Sequence, residues 1–213
     1  MRILIVGIGI SIGQQLTGIN SIMYYAQAVL TESGFTHNGA LIANIAPGVI
    51  AVIGGIIGLR LMQKINRRTT LLLGFSLTTT MHFLVAVASM LLPAGNPARP
   101  FVILALVVLF VGSIQTFLNI AIWVMLAEIF PLFIRGLAIG ISVFFGWIVN
   151  ALLGLFFPSL IAALGISGTF FLFGGIGVLA LVFIATMVPE TRGRTLESIE
   201  EGVTTGAIYT VKN

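Results

Sequence analysis

Gln14, Gln15 and Asn20 place three side-chain amides, with the phenols of Tyr24 and Tyr25 close behind, in an apolar stretch over residues 3–30 that contains no charged side chain. An amide left without partners in hydrocarbon costs on the order of 2–7 kcal/mol, so each must be met by another helix or by a solute. Gln115, Asn119 and Trp123 form a second polar group in a comparable zone of a later apolar run. Amides donate and accept hydrogen bonds without carrying charge. That chemistry suits a neutral, polyhydroxylated solute.

The elements that must position these groups follow from composition. With 58% apolar and 8% charged residues and a mean hydropathy of +1.16, the chain belongs in lipid. A helix rising about 1.5 Å per residue needs roughly 20 apolar residues to cross a hydrocarbon core of about 30 Å. Six runs meet that length, over residues 3–30, 40–62, 69–92, 101–127, 136–157 and 168–188. They are long and apolar on all sides, unlike the short alternating segments of a barrel, so the expected class is an all-α membrane protein. The first run follows Met1 and Arg2 as a signal peptide would, but it is too long and lacks a small-residue cleavage site, so it reads as a retained span. Residues 1–190 are therefore expected to form a six-helix transmembrane bundle, and residues 191–213 a tail with a short amphipathic helix.

Basic residues orient the bundle. With both termini inside, nine of the ten Lys and Arg residues fall in cytoplasmic segments, and Arg99 alone is external. The net charge of +4 matches this bias and an anionic inner leaflet, so membrane lipid is the expected partner and nucleic acid is not. Pro93, Gly95, Pro97 and Pro100 divide three spans from three. Two three-helix units entering from opposite sides predict an inverted repeat with a solute site near mid-membrane. Gly54, Gly55 and Gly58, like Gly174, Gly175 and Gly177, are small residues that allow close helix approach. His37 reads as an external loop residue and His82 as a buried histidine bonded to backbone. Gln27, Asn44 and Gln115 read as packing or cap residues. The chain has no cysteine, no metal-ligand cluster, no phosphate loop and no nucleophile paired with a base, so neither an enzyme, a metal nor a cofactor is expected.

Several motifs in order give the chain a family likeness. Gly13-Gln14-Gln15-Leu16-Thr17-Gly18-Ile19-Asn20 with Tyr24-Tyr25 resembles the seventh helix of sugar porters in the major facilitator superfamily. Asn66-Arg67-Arg68, then Trp123 with Ala127-Glu128-Ile129-Phe130-Pro131 and Arg135-Gly136, then Pro189-Glu190-Thr191-Arg192-Gly193-Arg194-Thr195-Leu196-Glu197 follow in the family's order. The resemblance covers the C-terminal half of such a transporter, so the expected architecture is one half of a twelve-helix fold. It implies secondary transport of a neutral sugar or polyol by alternating access at the plasma membrane. It also implies that Gln14, Gln15 and Asn20 bond sugar hydroxyls, that Trp123 stacks on the ring, that Trp147 and Asn150 line the same cavity, and that Tyr24 and Tyr25 close it externally.

Arg67, Arg68, Glu128, Arg135, Glu190 and Arg192 fall at cytoplasmic helix ends. Charges there ordinarily form a solvated surface; the resemblance implies gate charges that pair in one state and part in the other. Departures from the family pattern bear on substrate: Asn119-Ile120 stands where Gly-Pro is usual, Ala51 where an asparagine ligand occurs, and Gly146 where a polar residue is common. The expected partner is the N-terminal six-helix half, without which this chain is expected to be inactive, as a fragment, split-gene product or truncation. The other reading is a six-helix sensor or assembly subunit that binds sugar without moving it; a homodimer of halves is a third. Polar residues in membrane helices also serve as interhelical contacts, and belt tryptophans sit at the interface, whereas Trp123 and Trp147 lie several residues inside their runs.

Overall fold

The computed structural model describes residues 2–193 apart from Ala94, and among these every regular element is helical. The expected tail helix lies outside the described residues. The first apolar run folds as three pieces in succession, α1 (Arg2–Leu16), α2 (Ile19–Tyr24) and α3 (Ala26–Ser33). The α1–α2 junction is set by Gly18, whose φ of 73° is left-handed, a conformation glycine adopts without a Cβ penalty.

Next come α4 (His37–Ala43) and α5 (Ile45–Met62), then α6 (Arg67–Leu91). Thr36 caps α4 by accepting a hydrogen bond from the Gly39 N–H at 3.2 Å. The second half holds α7 (Arg99–Ser113), a π-helical segment (Ile114–Leu118), α8 (Asn119–Ile129) and α9 (Arg135–Met187).

The span count is recovered from packing. Among the described residues five helices are long and apolar enough to cross a membrane, the last running 53 residues. At about 1.5 Å per residue such a helix would be roughly 80 Å long, far more than one crossing. Gly165, with φ 66° and ψ 179°, breaks it. Gly7 lies against Ser142 and Gly146 against Ser11, so α1 and residues 135–164 run the same way. Gly9 lies against Phe183 and Gly13 against Ala180, so α1 and residues 166–187 run oppositely. The two limbs are therefore antiparallel, and the chain makes six passes. The expected fifth run, 136–157, is corrected by this geometry: Pro158 lies inside the helix instead of ending it, and the turn falls at Gly165.

The interior is aromatic. Phe75, Phe110, Phe130, Phe157, Phe170 and Phe173 are fully buried, while Leu155, Leu179 and Phe133 are exposed, as expected where the surroundings are as apolar as the core. α5 buries only Pro47, Gly54, Gly58 and Met62, which share one face at spacings of four and seven. Gly58 faces the π-helical segment so closely that a Cβ there would lie 2.6 Å from the Thr116 carbonyl oxygen. Gly174 and Gly177 face α6 in the same manner, whereas Gly55 and Gly175 meet nothing.

Candidate binding cavity

A cavity of about 180 Å³ opens between the end of α1, α2, the π-helical segment, α8 and the first limb of α9. Gln14, Gln15 and Asn20 line one side of it; Gln115, Asn119 and Trp123 line the opposite side, with Trp147 and Ser11 completing the wall. No charged side chain contributes. The break at Thr17–Gly18 makes this possible, because ending α1 at Leu16 lets Asn20 fold back over Gln15. Asn20 Nδ2 donates to Gln15 Oε1 at 2.9 Å. The Thr17 hydroxyl donates to the Gln14 carbonyl at 2.6 Å, an acceptor it shares with the Thr17 N–H at 3.3 Å.

On the other wall the π-helical segment does the positioning. Its wide turn, closed by the Asn119 N–H to the Ile114 carbonyl, widens the helix just ahead of Asn119. Asn119 Nδ2 donates to Gln115 Oε1 at 2.7 Å, and Gln14 Nε2 reaches Asn119 Oδ1 at 3.5 Å across the cavity. The amides thus hold one another while leaving donors and acceptors free. No proline break occurs at Asn119-Ile120, and the chain continues helical through it. Gln115, read from sequence as a packing or cap residue, lies in the wall; its i, i+4, i+8 spacing with Asn119 and Trp123 was the available signal.

Trp123 is 49% exposed and Trp147 51%, so both indoles stand at the open edge. Asn150 is buried and outside the lining residues; the structure does not bring it to the cavity surface. Tyr24 and Tyr25 border a separate, shallow hollow with Gln27, Glu32 and His37. The Tyr25 hydroxyl donates to the Gly154 carbonyl at 3.1 Å, and its ring stacks on Phe157. A wider hollow, about 790 Å³ against Gly140 and Phe144, is lined by no polar side chain.

The candidate gate charges gather at the other end of the bundle, and only one pair is ionic among the described residues. Arg67 Nη2 meets Glu128 Oε1 at 3.0 Å, with side chains 19% and 25% exposed. Thr191 also donates its hydroxyl to Glu128. Glu190 instead accepts backbone N–H groups: Arg67 at 3.0 Å, Arg68 at 3.0 Å, Thr191 at 3.1 Å and Arg192 at 2.9 Å. Arg192 donates to the carbonyls of Gln63 at 3.1 Å and Lys64. Arg68 donates to the Ala185 carbonyl, and Arg135 to that of Phe130 at 3.2 Å. Glu190 and Arg192 therefore staple the α5–α6 turn, acid on the N-terminus of α6 and base on the carbonyls after α5, each matching the helix dipole.

His82, expected as a buried histidine bonded to backbone, is 1% exposed, and the backbone of Thr17 lies beside its ring. Phe110, Phe173 and Phe170 surround the ring, with centroids 4.7, 5.7 and 5.8 Å away.

The family model described as "Sugar (and other) transporter" matches residues 1–202. The Bacillus subtilis (strain 168) protein YncC is 50% identical over 200 residues, covering 94% of this chain and 42% of that protein. The major myo-inositol transporter IolT of the same strain is 46% identical over 200 residues, with the same coverage. Among solved structures, the proton:xylose symporter XylE bound to 6-bromo-6-deoxy-D-glucose superposes with a TM-score of 0.81 at 30% identity, covering 93% of this chain and 42% of that one. The chain spans about two-fifths of the length of these relatives. With a matched family model, six passes and an uncharged amide cavity between them, this multi-pass membrane chain belongs to the sugar transporter family of the major facilitator superfamily, a family of transporters and not of enzymes.

Proposed function

We propose that this chain forms one wall of the substrate site of a secondary transporter for a neutral sugar or polyol. The observation that carries this reading is the cavity lined by Gln14, Gln15, Asn20, Gln115 and Asn119 with Trp123 and Trp147 at its edge and no charge. Amides bond hydroxyls in either direction, and an indole face packs against the C–H face of a sugar ring. Ligand sites usually enclose roughly 300–1,000 Å³; a cavity of about 180 Å³ open past two half-exposed tryptophans fits one side of such a site. The other side is an N-terminal six-helix half, and rocking of the halves switches access. Relatives that include a myo-inositol transporter and a sugar-bound symporter support the substrate class.

In this reading both ends of the chain are cytoplasmic, lipid surrounds the bundle, and the Arg67–Glu128 pair and Glu190 staple hold the cytoplasmic side closed. Tyr24 and Tyr25 cover the external approach. Alone, the chain does not transport.

The test is uptake in proteoliposomes. The chain with an added N-terminal six-helix half is expected to show saturable, stereoselective uptake that Gln15→Leu abolishes. Saturable uptake by the chain alone would overturn the half-site reading. Because the sequence contains no cysteine, single cysteines at Gln63 and Gly95 test the orientation with impermeant reagents. Labelling at Gly95 alone from outside is expected.

A further inference from the structure

Two of the three amide contacts around the cavity stay within one wall. Asn20 Nδ2 donates to Gln15 Oε1 at 2.9 Å on the α1–α2 side, and Asn119 Nδ2 donates to Gln115 Oε1 at 2.7 Å on the other. The third crosses the cavity, from Gln14 Nε2 to Asn119 Oδ1 at 3.5 Å. Well-formed N–H···O bonds lie at roughly 2.7–3.2 Å, so the crossing contact is the weakest of the three and little is lost when it opens. Among the described residues it is also the single hydrogen bond between the amides of the two walls.

Resting on the polyol site proposed above, we propose that the Gln14–Asn119 contact is a strap that one substrate hydroxyl replaces, and that Asn119 is the specificity-determining residue that reads this hydroxyl. Opening the strap leaves an N–H on Gln14 facing a carbonyl oxygen on Asn119. Whatever enters between them must accept from one and donate to the other through a single atom. A hydroxyl does both, whereas a carbonyl, an ether oxygen or a halogen accepts only and a methylene does neither. Two bonds of about 2.8 Å meeting at a hydroxyl oxygen set the outer atoms about 4.5 Å apart, so the walls part by only about 1 Å. Asn119 Nδ2 is committed to Gln115, which leaves the Asn119 oxygen as the atom presented. Turning all three amides together exchanges donor for acceptor and leaves the demand for a hydroxyl unchanged. A substrate that is deoxygenated, oxidised to a ketone or alkylated at this position strands one or both amide groups, and a site built to bond a hydroxyl rejects such analogues for that reason. The substrate class is therefore a polyol with an unmodified hydroxyl at the strap.

Titration of the tryptophan fluorescence of the whole chain tests this, with myo-inositol and D-xylose as probes beside their analogues carrying hydrogen or fluorine in place of one hydroxyl. Fluorine keeps the size of a hydroxyl and cannot donate. At one ring position both replacements are expected to weaken binding about tenfold or more, the factor that stranded amide groups supply. In Asn119→Ala the hydroxyl and fluorine compounds are expected to bind within about twofold of each other at that position, because the acceptor that told them apart is gone. Asn119→Asp keeps an acceptor oxygen and is expected to retain the discrimination. Fluorine tolerated at every position by the unsubstituted chain overturns the strap and leaves the cavity reading standing. Discrimination that persists in Asn119→Ala overturns the assignment to Asn119. A fluorescence signal that no probe changes overturns the cavity reading and the strap together.

Discussion

Glu190 and Glu128 both read as gate charges, yet their surroundings predict unequal losses on substitution. Glu190 accepts four backbone N–H groups, two of them from the first turn of α6. Asn66, the residue at the cap position of α6, makes no side-chain cap bond, so Glu190 is that helix's cap although it lies more than 120 positions away in the sequence. Losing a cap costs about 0.5–2 kcal/mol, and losing a negative charge at a helix N-terminus about 0.3–1 kcal/mol more. Detaching the 190–192 segment also frees Arg192 from the carbonyls after α5. Glu190→Ala is therefore expected to cost about 2–4 kcal/mol, and Glu190→Gln, which keeps one acceptor oxygen, about half of that. Glu128→Gln exchanges a partly buried ion pair with Arg67 for a neutral hydrogen bond and keeps an acceptor for the Thr191 hydroxyl, a loss of about 1 kcal/mol or less. For a chain of this size 1 kcal/mol moves Tm by about 2–4 °C. Far-UV circular dichroism melts in mild detergent should place Glu190→Ala about 5–12 °C below the unsubstituted chain and Glu128→Gln within about 3 °C. An equal or larger loss for Glu128→Gln would refute the reasoning, since the ion pair would then outweigh the cap.

Gly58→Ala drives a Cβ toward the Thr116 carbonyl and is expected to destabilise by about 1–3 kcal/mol, while Gly55→Ala, with nothing within 4 Å, leaves the melt unchanged. Gly165→Ala strains the left-handed turn between the α9 limbs and is expected to cost about 1–3 kcal/mol in the same assay. The two tryptophans of the chain both line the cavity, so sugar or polyol titration of the intrinsic fluorescence reads this site directly. Asn119→Leu is expected to weaken that titration about tenfold, by stranding Gln115 and Gln14, without shifting the melt by more than about 3 °C.

How much of this was legible in the residues depended on whether the signal was local. The six runs, the glycine faces and the amide cluster are patterns within one helix, and periodicity with hydropathy suffices to read them. Gly58 could be told from Gly55 only by its neighbour, the π-helical segment, which no composition signal marks. The turn at Gly165 lies beyond the end of the expected fifth run, and Pro158 sits inside the helix; the helix tolerates it in apolar surroundings where neighbouring helices support the backbone. Glu190 illustrates the deeper limit. Its sequence position says charged and near a helix end, which is equally true of Glu128, and only the three-dimensional return of the 190–192 segment to the α5–α6 turn separates a cap from a salt-bridge partner.

The same distinction bears on how the chain would move. A gate made of ion pairs opens by exchanging each pair for water, at small cost per pair. A carboxylate that caps a helix couples the position of the last limb of α9 to the integrity of the first turn of α6, because the cap bonds break together when the 190–192 segment leaves. Opening of the basic end is then expected to be all-or-none in this segment, with Arg67, Arg68 and Arg192 backbone amides losing protection at a single rate. Amide exchange under conditions where opening limits the rate checks this: one shared rate for the three supports a cooperative latch, and rates differing by more than about tenfold show that the contacts release one by one.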